Sequence, residues 1–201
     1  MLKVGLTGNL GSGKSVIAKI FEISGVPVFH ADDISKKFLT NSAVRQKIRS
    51  AFGSEAFIHG DDIDRKKLGK IVFSDPGKLA NLNSILHPMV MDDFRLWIAS
   101  HSEHPYVILE AAIIFESGYS REFDKIIHVS CPEKICIERA IMRDQASREE
   151  LLQRIRFQWE DEKKAAMSDY IILNNGSEMV IPQVLKIRDL LMNLSLQDKE
   201  V

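Results

Sequence analysis

The 201-residue chain has little of what marks the more specialised protein classes. It holds two cysteines, Cys131 and Cys136. Two thiols cannot supply a structural zinc site alone, and their spacing is not C-x-x-C. They read as free thiols in a reducing, cytoplasmic compartment. Six histidines include no H-x-x-x-H pair, so no transition-metal centre is expected. Neither sign of charge dominates: 27 Lys and Arg face 28 Asp and Glu, a formal net charge of −1. That balance gives no global pull toward nucleic acid or a membrane surface. No apolar run reaches membrane-spanning length. Met1-Leu2-Lys3 runs straight into a strand-like segment, without the pattern of a secretory leader. Repeats and low-complexity tracts are absent. What remains is 45% hydrophobic and 27% charged, the balance of a folded globular unit with room for a subdomain or lid.

The richest stretch lies at the start, K-V-G-L-T-G-N-L-G-S-G-K-S. Residues 8–15 read G-x-x-x-x-G-K-S, with Gly8, Gly13, Lys14 and Ser15 in the P-loop positions. Each residue type has a physical task. Glycines let the backbone curl with its N–H groups pointing inward as an anion nest. The following helix adds its positive N-terminal end. Lys14 supplies a mobile charge for the outer phosphates, and Ser15 a hydroxyl for magnesium. Leu2, Val4 and Leu6 form the preceding strand; Val16, Ile17, Ile20 and Phe21 mark the helix behind the loop. The motif indicates a nucleoside triphosphate without naming the reaction.

Gly25 suits the end of that helix, and Val26-Pro27-Val28-Phe29 reads as a second strand, giving a βαβ unit and hence a parallel sheet. From about Ile34 to about His101 only helical pieces follow. Asn41 or Ser42 caps one that Gly53 ends, Asp64 precedes another, and Asp75-Pro76 opens a third that His87-Pro88 is expected to break. Some seventy residues far exceed a usual connection, so this is an inserted helical subdomain. The sheet resumes at Tyr106-Val107-Ile108-Leu109 and again at residues 125–129. Ser130-x-x-Glu133 and Ser147-x-x-Glu150 read as capping boxes, the second opening a helix that carries Arg154, Gln158 and Lys163. Residues 170–173 form the last strand, Asn174-Asn175-Gly176 a turn, and a final helix from Val180 to Leu194 ends in a frayed polar tail.

Phosphoryl transfer needs an oriented nucleophile and cations for the developing charge. The acceptor side belongs at the carboxyl ends of the strands, where Asp32-Asp33 and Glu110 fall. Asp33 serves equally well as a helix cap, and Glu110 as a solvated strand end. Arg139 and Arg143, four apart, share a helix face and with Arg154 could form a lid; the plainer reading pairs them with Glu138 or Asp144. His87-Pro88 is either an acceptor contact or only a helix break. Phe94, Trp97 and Trp159 read as core. Arg65-Lys66-Lys67 and the run at residues 160–164 read as solvated faces.

Taken together, these residues resemble the dephospho-CoA kinase family of P-loop kinases over about residues 3–190. G-L-T-G-N-L-G-S-G-K-S resembles its G-L-T-G-G-I-G-S-G-K-S, and V-P-V-F-H-A-D-D-I its V-x-V-I-D-A-D-x-I. Leu86-His87-Pro88 resembles its L-H-P, and E-A-A-I-I-F-E-S-G its D-I-P-L-L-F-E-x-G. R-A-I-M-R-D resembles R-x-x-x-R-D, Arg154-Ile155 with Gln158 resembles R-I-x-x-Q, and D-Y-I-I-L-N-N-G resembles A-D-x-V-I-x-N-x-G. His30, Glu110 and Ala112 depart from the family's aspartate, aspartate and proline.

The resemblance implies transfer of phosphate from ATP to the ribose 3′-hydroxyl of dephospho-CoA, the last step of CoA synthesis, with Mg2+. It implies an α/β fold: a three-layer P-loop kinase core with a parallel sheet, a helical substrate-binding insert and a helical lid. The expected division is residues 1–33, 104–137 and 166–201 for the core, 34–103 for the insert and 138–165 for the lid. Gly8, Gly11, Ser12, Gly13, Lys14, Ser15 and Val16 would bind ATP, with Asn174 and Gly176 near the adenine. Lys14, Asp32, Arg139 and Arg143 would be catalytic; Asp32, His87 and Glu110 would contact the acceptor; Ser15 would ligate the metal. The expected partners are ATP and dephospho-CoA, with no nucleic acid and no membrane, for a monomer or small homo-oligomer. Two alternatives stay open at this point: a kinase for another small hydroxylated acceptor such as a nucleoside or nucleotide, and a P-loop NTPase switch, the latter weakened by the lack of N-K-x-D.

Overall fold

In a computed structural model, residues 1–58, 61–145 and 147–197 are described. The tail beyond Gln197, expected to fray, lies outside them. The elements run β1 (Leu2–Gly8), α1 (Lys14–Ile23), β2 (Val28–His30), α2 (Ala31–Phe38), α3 (Ser42–Phe52), α4 (Arg65–Val72), α5 (Pro76–Ala99), β3 (Tyr106–Glu110), β4 (Lys125–Ser130), α6 (Glu133–Asp144), α7 (Arg148–Ile155), α8 (Asp161–Ala166), β5 (Tyr170–Leu173) and α9 (Val180–Gln197). The described chain forms two compact units.

One unit comprises Met1–His30 and the described residues from Leu96 onward. Its five strands are all parallel, in the order β2-β3-β1-β4-β5. The order fixes where the site lies. β1 is central, the chain crosses to β3 on one side and β4 on the other, and ligands settle at such a switch point beyond the carboxyl ends of the strands. Val4, Leu6, Ile108, Ile127 and Val129 are buried, as expected for a sheet covered on both faces. On one face Ile17 and Phe21 of α1 pack with Val184, Ile187 and Leu191 of α9 against Leu6, Ile108, Ile127 and Ile172. Gly25, at φ 84°, closes α1 as its sequence position indicated.

The other unit, Ala31–Arg95, has its own core of Val44, Ile48, Ala56, Phe57, Leu68, Val72 and Leu86. Asn41 caps α3, Asp64 caps α4, and Asp75 accepts from the Gly77 and Lys78 amides at the start of α5. An antiparallel bridge joins Phe57 and Ile63.

Three expectations are corrected. α5 runs through Pro88 without ending. Leu86, Val90, Met91 and Phe94 form one buried stripe along it, whereas the proline ring sits on the exposed side, so burial outweighs the lost backbone bond. Ser130 does not cap α6, whose N-cap is Pro132; its hydroxyl donates to Asp161 instead. The helix opened by Ser147 stops at Ile155, leaving Gln158 in a connecting strap and Lys163 on the separate α8. The Ser147–Glu150 capping box itself is present. No helix among the described residues is long and apolar enough to cross a membrane.

Candidate active site

β1 ends at Gly8, and the chain turns through residues 9–13 into α1, whose first residue is Lys14. Gly11 and Gly13 take φ of 80° and 93°, left-handed values that favour glycine. Close neighbours bar a side chain as well. A Cβ at Gly11 would lie 2.1 Å from the Cys136 carbonyl oxygen, and one at Gly13 2.3 Å from Asn174 Nδ2. The Gly13 carbonyl accepts from the Val16 and Ile17 amides, starting α1. Lys14 is buried, with Nζ 3.4 Å from the Asn9 carbonyl inside the turn. The Ser12 hydroxyl is buried and, among the described residues, has no hydrogen-bond partner. Ser15 and Val16 are exposed on the first turn of α1. A curled loop, a helix N-terminus, a buried ammonium and an unpaired hydroxyl together favour a bound anion.

Neighbouring segments brace this loop. Asn174, just after β5, donates from Nδ2 to the Ser12 carbonyl at 2.7 Å. Arg139 on α6 donates to the Asn174 carbonyl at 3.0 Å and contacts Cys131 Sγ at 3.5 Å. Gln158 Oε1 accepts from the Leu10 amide at 2.9 Å, and Asn9 Nδ2 donates to the Trp159 carbonyl at 3.2 Å. Gly176 lies in the turn beyond Asn174 at φ 87°. Arg143, by contrast, is exposed and forked onto Asp144 at 2.7 and 3.0 Å, and Arg154 Nη1 lies 3.8 Å from the same carboxylate. Of the predicted arginines, Arg139 thus stands beside the loop, whereas Arg143 and Arg154 gather on Asp144.

Glu110 ends β3 and is buried rather than solvated. His30 ends β2 beside it, with Nδ1 3.3 Å from Glu110 Oε2 and Nε2 2.9 Å from Glu22 Oε1 on α1. Burial pulls the His30 pKa down, but hydrogen bonds to the two carboxylates and their charges outweigh it, and the net shift is upward. Hydrogen bonds from His30 and Lys19 hold Glu22 below the ordinary carboxylate range. An imidazolium donating to both sides suits this geometry.

In the helical unit, Asp32 and Asp33 occupy the first turn of α2, where carboxylates suit the helix dipole. Asp33 pairs with Lys36 at 2.8 Å, and Asp32 is exposed. His87 is half-buried in α5; burial lowers its pKa, and the nearby Asp32 carboxylate works against that shift. The fold therefore brings these two predicted acceptor residues close together.

Some well-placed residues were not anticipated. Lys164, inside a charge run read as a solvated face, is buried, with Nζ 2.7 Å from Glu116 Oε1 and donating to the Ala112 carbonyl at 2.8 Å. Burial lowers its pKa and the Glu116 charge opposes that. Asp161, from the same run, meets buried His128 at 2.9 Å and Ser130. Burial raises its pKa, but those hydrogen bonds outweigh it and the net shift is downward. Trp97 and Trp159 are half-buried rather than core: Trp97 lies edge-on to Phe29, and Trp159 stacks on Phe115 under Lys163. The only sequence signals were the period-four placement of Lys164 after Glu160 and the matched motif around Glu116. Cys131 and Cys136 are free and buried, and burial pushes the Cys136 thiol up.

Comparison with known proteins agrees with this geometry. A family model for dephospho-CoA kinase matches residues 2–179. The dephospho-CoA kinase of Bacteroides fragilis (strain YCH46) is 39% identical over 188 residues, covering 92% of this chain and 91% of the relative. A crystal structure of a Thermus thermophilus protein superposes with a TM-score of 0.79 at 31% identity, covering 94% of this chain and 96% of that one. The dephospho-CoA kinase from Campylobacter jejuni gives 0.66 at 26% identity, over 95% and 97%. A parallel P-loop sheet with its loop in anion-binding form, in a chain matched along nearly all its length, belongs to the dephospho-CoA kinase family.

Proposed function

We propose that the chain transfers the γ-phosphoryl group of ATP to the ribose 3′-hydroxyl of dephospho-CoA, giving CoA and ADP. One observation carries the donor half: at the carboxyl end of the central strand, Gly11 and Gly13 are held left-handed over a buried Lys14, with the Ser12 hydroxyl unpaired. Family membership supports the acceptor.

In this reading the loop amides and Ser12 hold the β- and γ-phosphates, and Lys14 neutralises the charge that shifts between them in the transition state. Val16 presents an exposed apolar side chain to the nucleotide, and Asn174 and Gly176 border its base. Arg139 gives up part of its contact with Asn174 to meet the transferring group, and Arg143 leaves Asp144 when ATP is bound. Asp32 orients the ribose hydroxyl and takes its proton. His87, kept neutral by burial, and Glu110 hold the acceptor. Residues 34–103 serve as the acceptor-binding insert and 138–165 as the lid. A cytoplasmic location accompanies this reading, and two buried free thiols support it.

Magnesium suits the donor set. Ser15 offers an exposed hydroxyl beside an anion nest, and among the described residues no three His, Cys, Asp or Glu side chains converge as a cage. That suits an ion arriving with ATP rather than one held by protein alone. When bound, the ion would be held by Ser15 and would neutralise charge on the phosphates.

The test offers ATP and magnesium with dephospho-CoA, nucleosides and nucleoside monophosphates in parallel. ADP release should depend on dephospho-CoA. Equal release with a nucleoside, or with no acceptor, refutes the proposal.

A further inference from the structure

The phosphate loop is tied at its first two residues to a strap, residues 157–160, that follows α7. Asn9 Nδ2 donates to the Trp159 carbonyl, and the Leu10 amide donates to Gln158 Oε1. The strap is itself anchored from behind. Trp159 N donates to Glu116 Oε1 at 2.8 Å, and its ring stacks on Phe115 with centroids 6.0 Å apart and planes 8° from parallel. Glu116 Oε1 also takes the buried Lys164 ammonium, which reaches on to the Ala112 carbonyl. Thr7 Oγ1, on β1, lies 3.3 Å from that same carbonyl. A circuit of hydrogen bonds therefore leaves β1 at Thr7 and returns to the loop at Asn9. Of its charged members Lys164 is buried and Glu116 largely shielded, and in such surroundings these bonds are strong and costly to break.

We propose that Asn9 and Gln158 are positioning residues for the phosphate loop, holding it open for ATP against the anchored strap. A loop that curls around phosphates must keep its amides convergent before the ligand arrives. Free to relax, it would lose affinity to the cost of ordering it. Asn9 stands where the family pattern quoted above has glycine, which has no side-chain donor. The inference rests on residues 8–15 being the ATP site.

The test compares Asn9→Ala, Gln158→Met and the double variant with the intact protein. Steady-state kinetics at saturating dephospho-CoA are combined with direct titration of ATP. Each single variant should raise the KM and the Kd for ATP about fivefold, as expected for one lost hydrogen bond. The KM for dephospho-CoA should stay within about twofold, and so should kcat. Because both residues act through one strap, the double variant should fall short of the product of the singles. Unchanged ATP affinity in both singles overturns the inference. So does a loss that appears only in the unfolding midpoint, or equally in both substrates, or a full product in the double variant. If the unaltered protein shows no saturable binding of ATP, the loop assignment fails first and takes the inference with it.

Discussion

Lys14 and His30 show how much chemistry a single position carries here. Lys14 is buried with its ammonium inside the turn of the phosphate loop, and in the proposed reading its loss removes charge where charge develops. Lys14→Ala should lower kcat on the order of a hundredfold or more with an unchanged far-ultraviolet circular dichroism spectrum. A variant that keeps most of its turnover contradicts the role. His30 joins Glu22 and Glu110 and has a raised pKa. Its contribution to stability is therefore fully present below about pH 6.5 and is lost as pH rises through the higher folded value. The unfolding midpoint of the intact protein should exceed that of His30→Gln at pH 6, and the gap should narrow by pH 9. A gap that is constant across that range contradicts a charged His30. The sequence marked this position only as a departure from the family aspartate. That two carboxylates enclose it depends on α1 and β3, which lie far apart in the chain.

At the scale of elements, legibility follows burial and locality. The strands could be read because a sheet covered on both faces demands continuous apolar runs, as in Val107-Ile108-Leu109 and Ile126-Ile127. Caps at Asp75 and Ser147 could be read, and Asn41 as one of two adjacent candidates, because a cap is a contact within three residues. The strap between α7 and α8 could not, because Leu10 and Glu116, distant in sequence, fix it. Lys164 was hidden in a charge run for the same reason. Its partner Glu116 would stay buried without it, a loss that costs about 3–5 kcal/mol. Lys164→Met should lower the unfolding midpoint by about 6 °C or more, at roughly 2–4 °C per kcal/mol for a chain of this size. Glu116→Leu added to it should restore part of that loss. A Lys164→Met midpoint within about 2 °C of the original contradicts the buried pair.

At the scale of the molecule, the described residues form two units, each with its own core. The sheet unit holds the phosphate loop and its braces, and the helical unit holds Asp32 and His87. The loop motif alone implied a triphosphate; in the proposed reading the acceptor is met from the helical unit, where Asp32 and His87 lie close together. Composition does not identify an acceptor, and Asp32 and His87, which the proposed reading assigns to it, lie far apart in sequence. Regiospecific phosphoryl transfer is tested by following the products of ATP, magnesium and dephospho-CoA by mass spectrometry and phosphorus magnetic resonance. One phosphoryl group should be gained at the ribose 3′-oxygen for each ADP released. ADP formed without phosphorylated acceptor, or phosphate found elsewhere on the molecule, would contradict it.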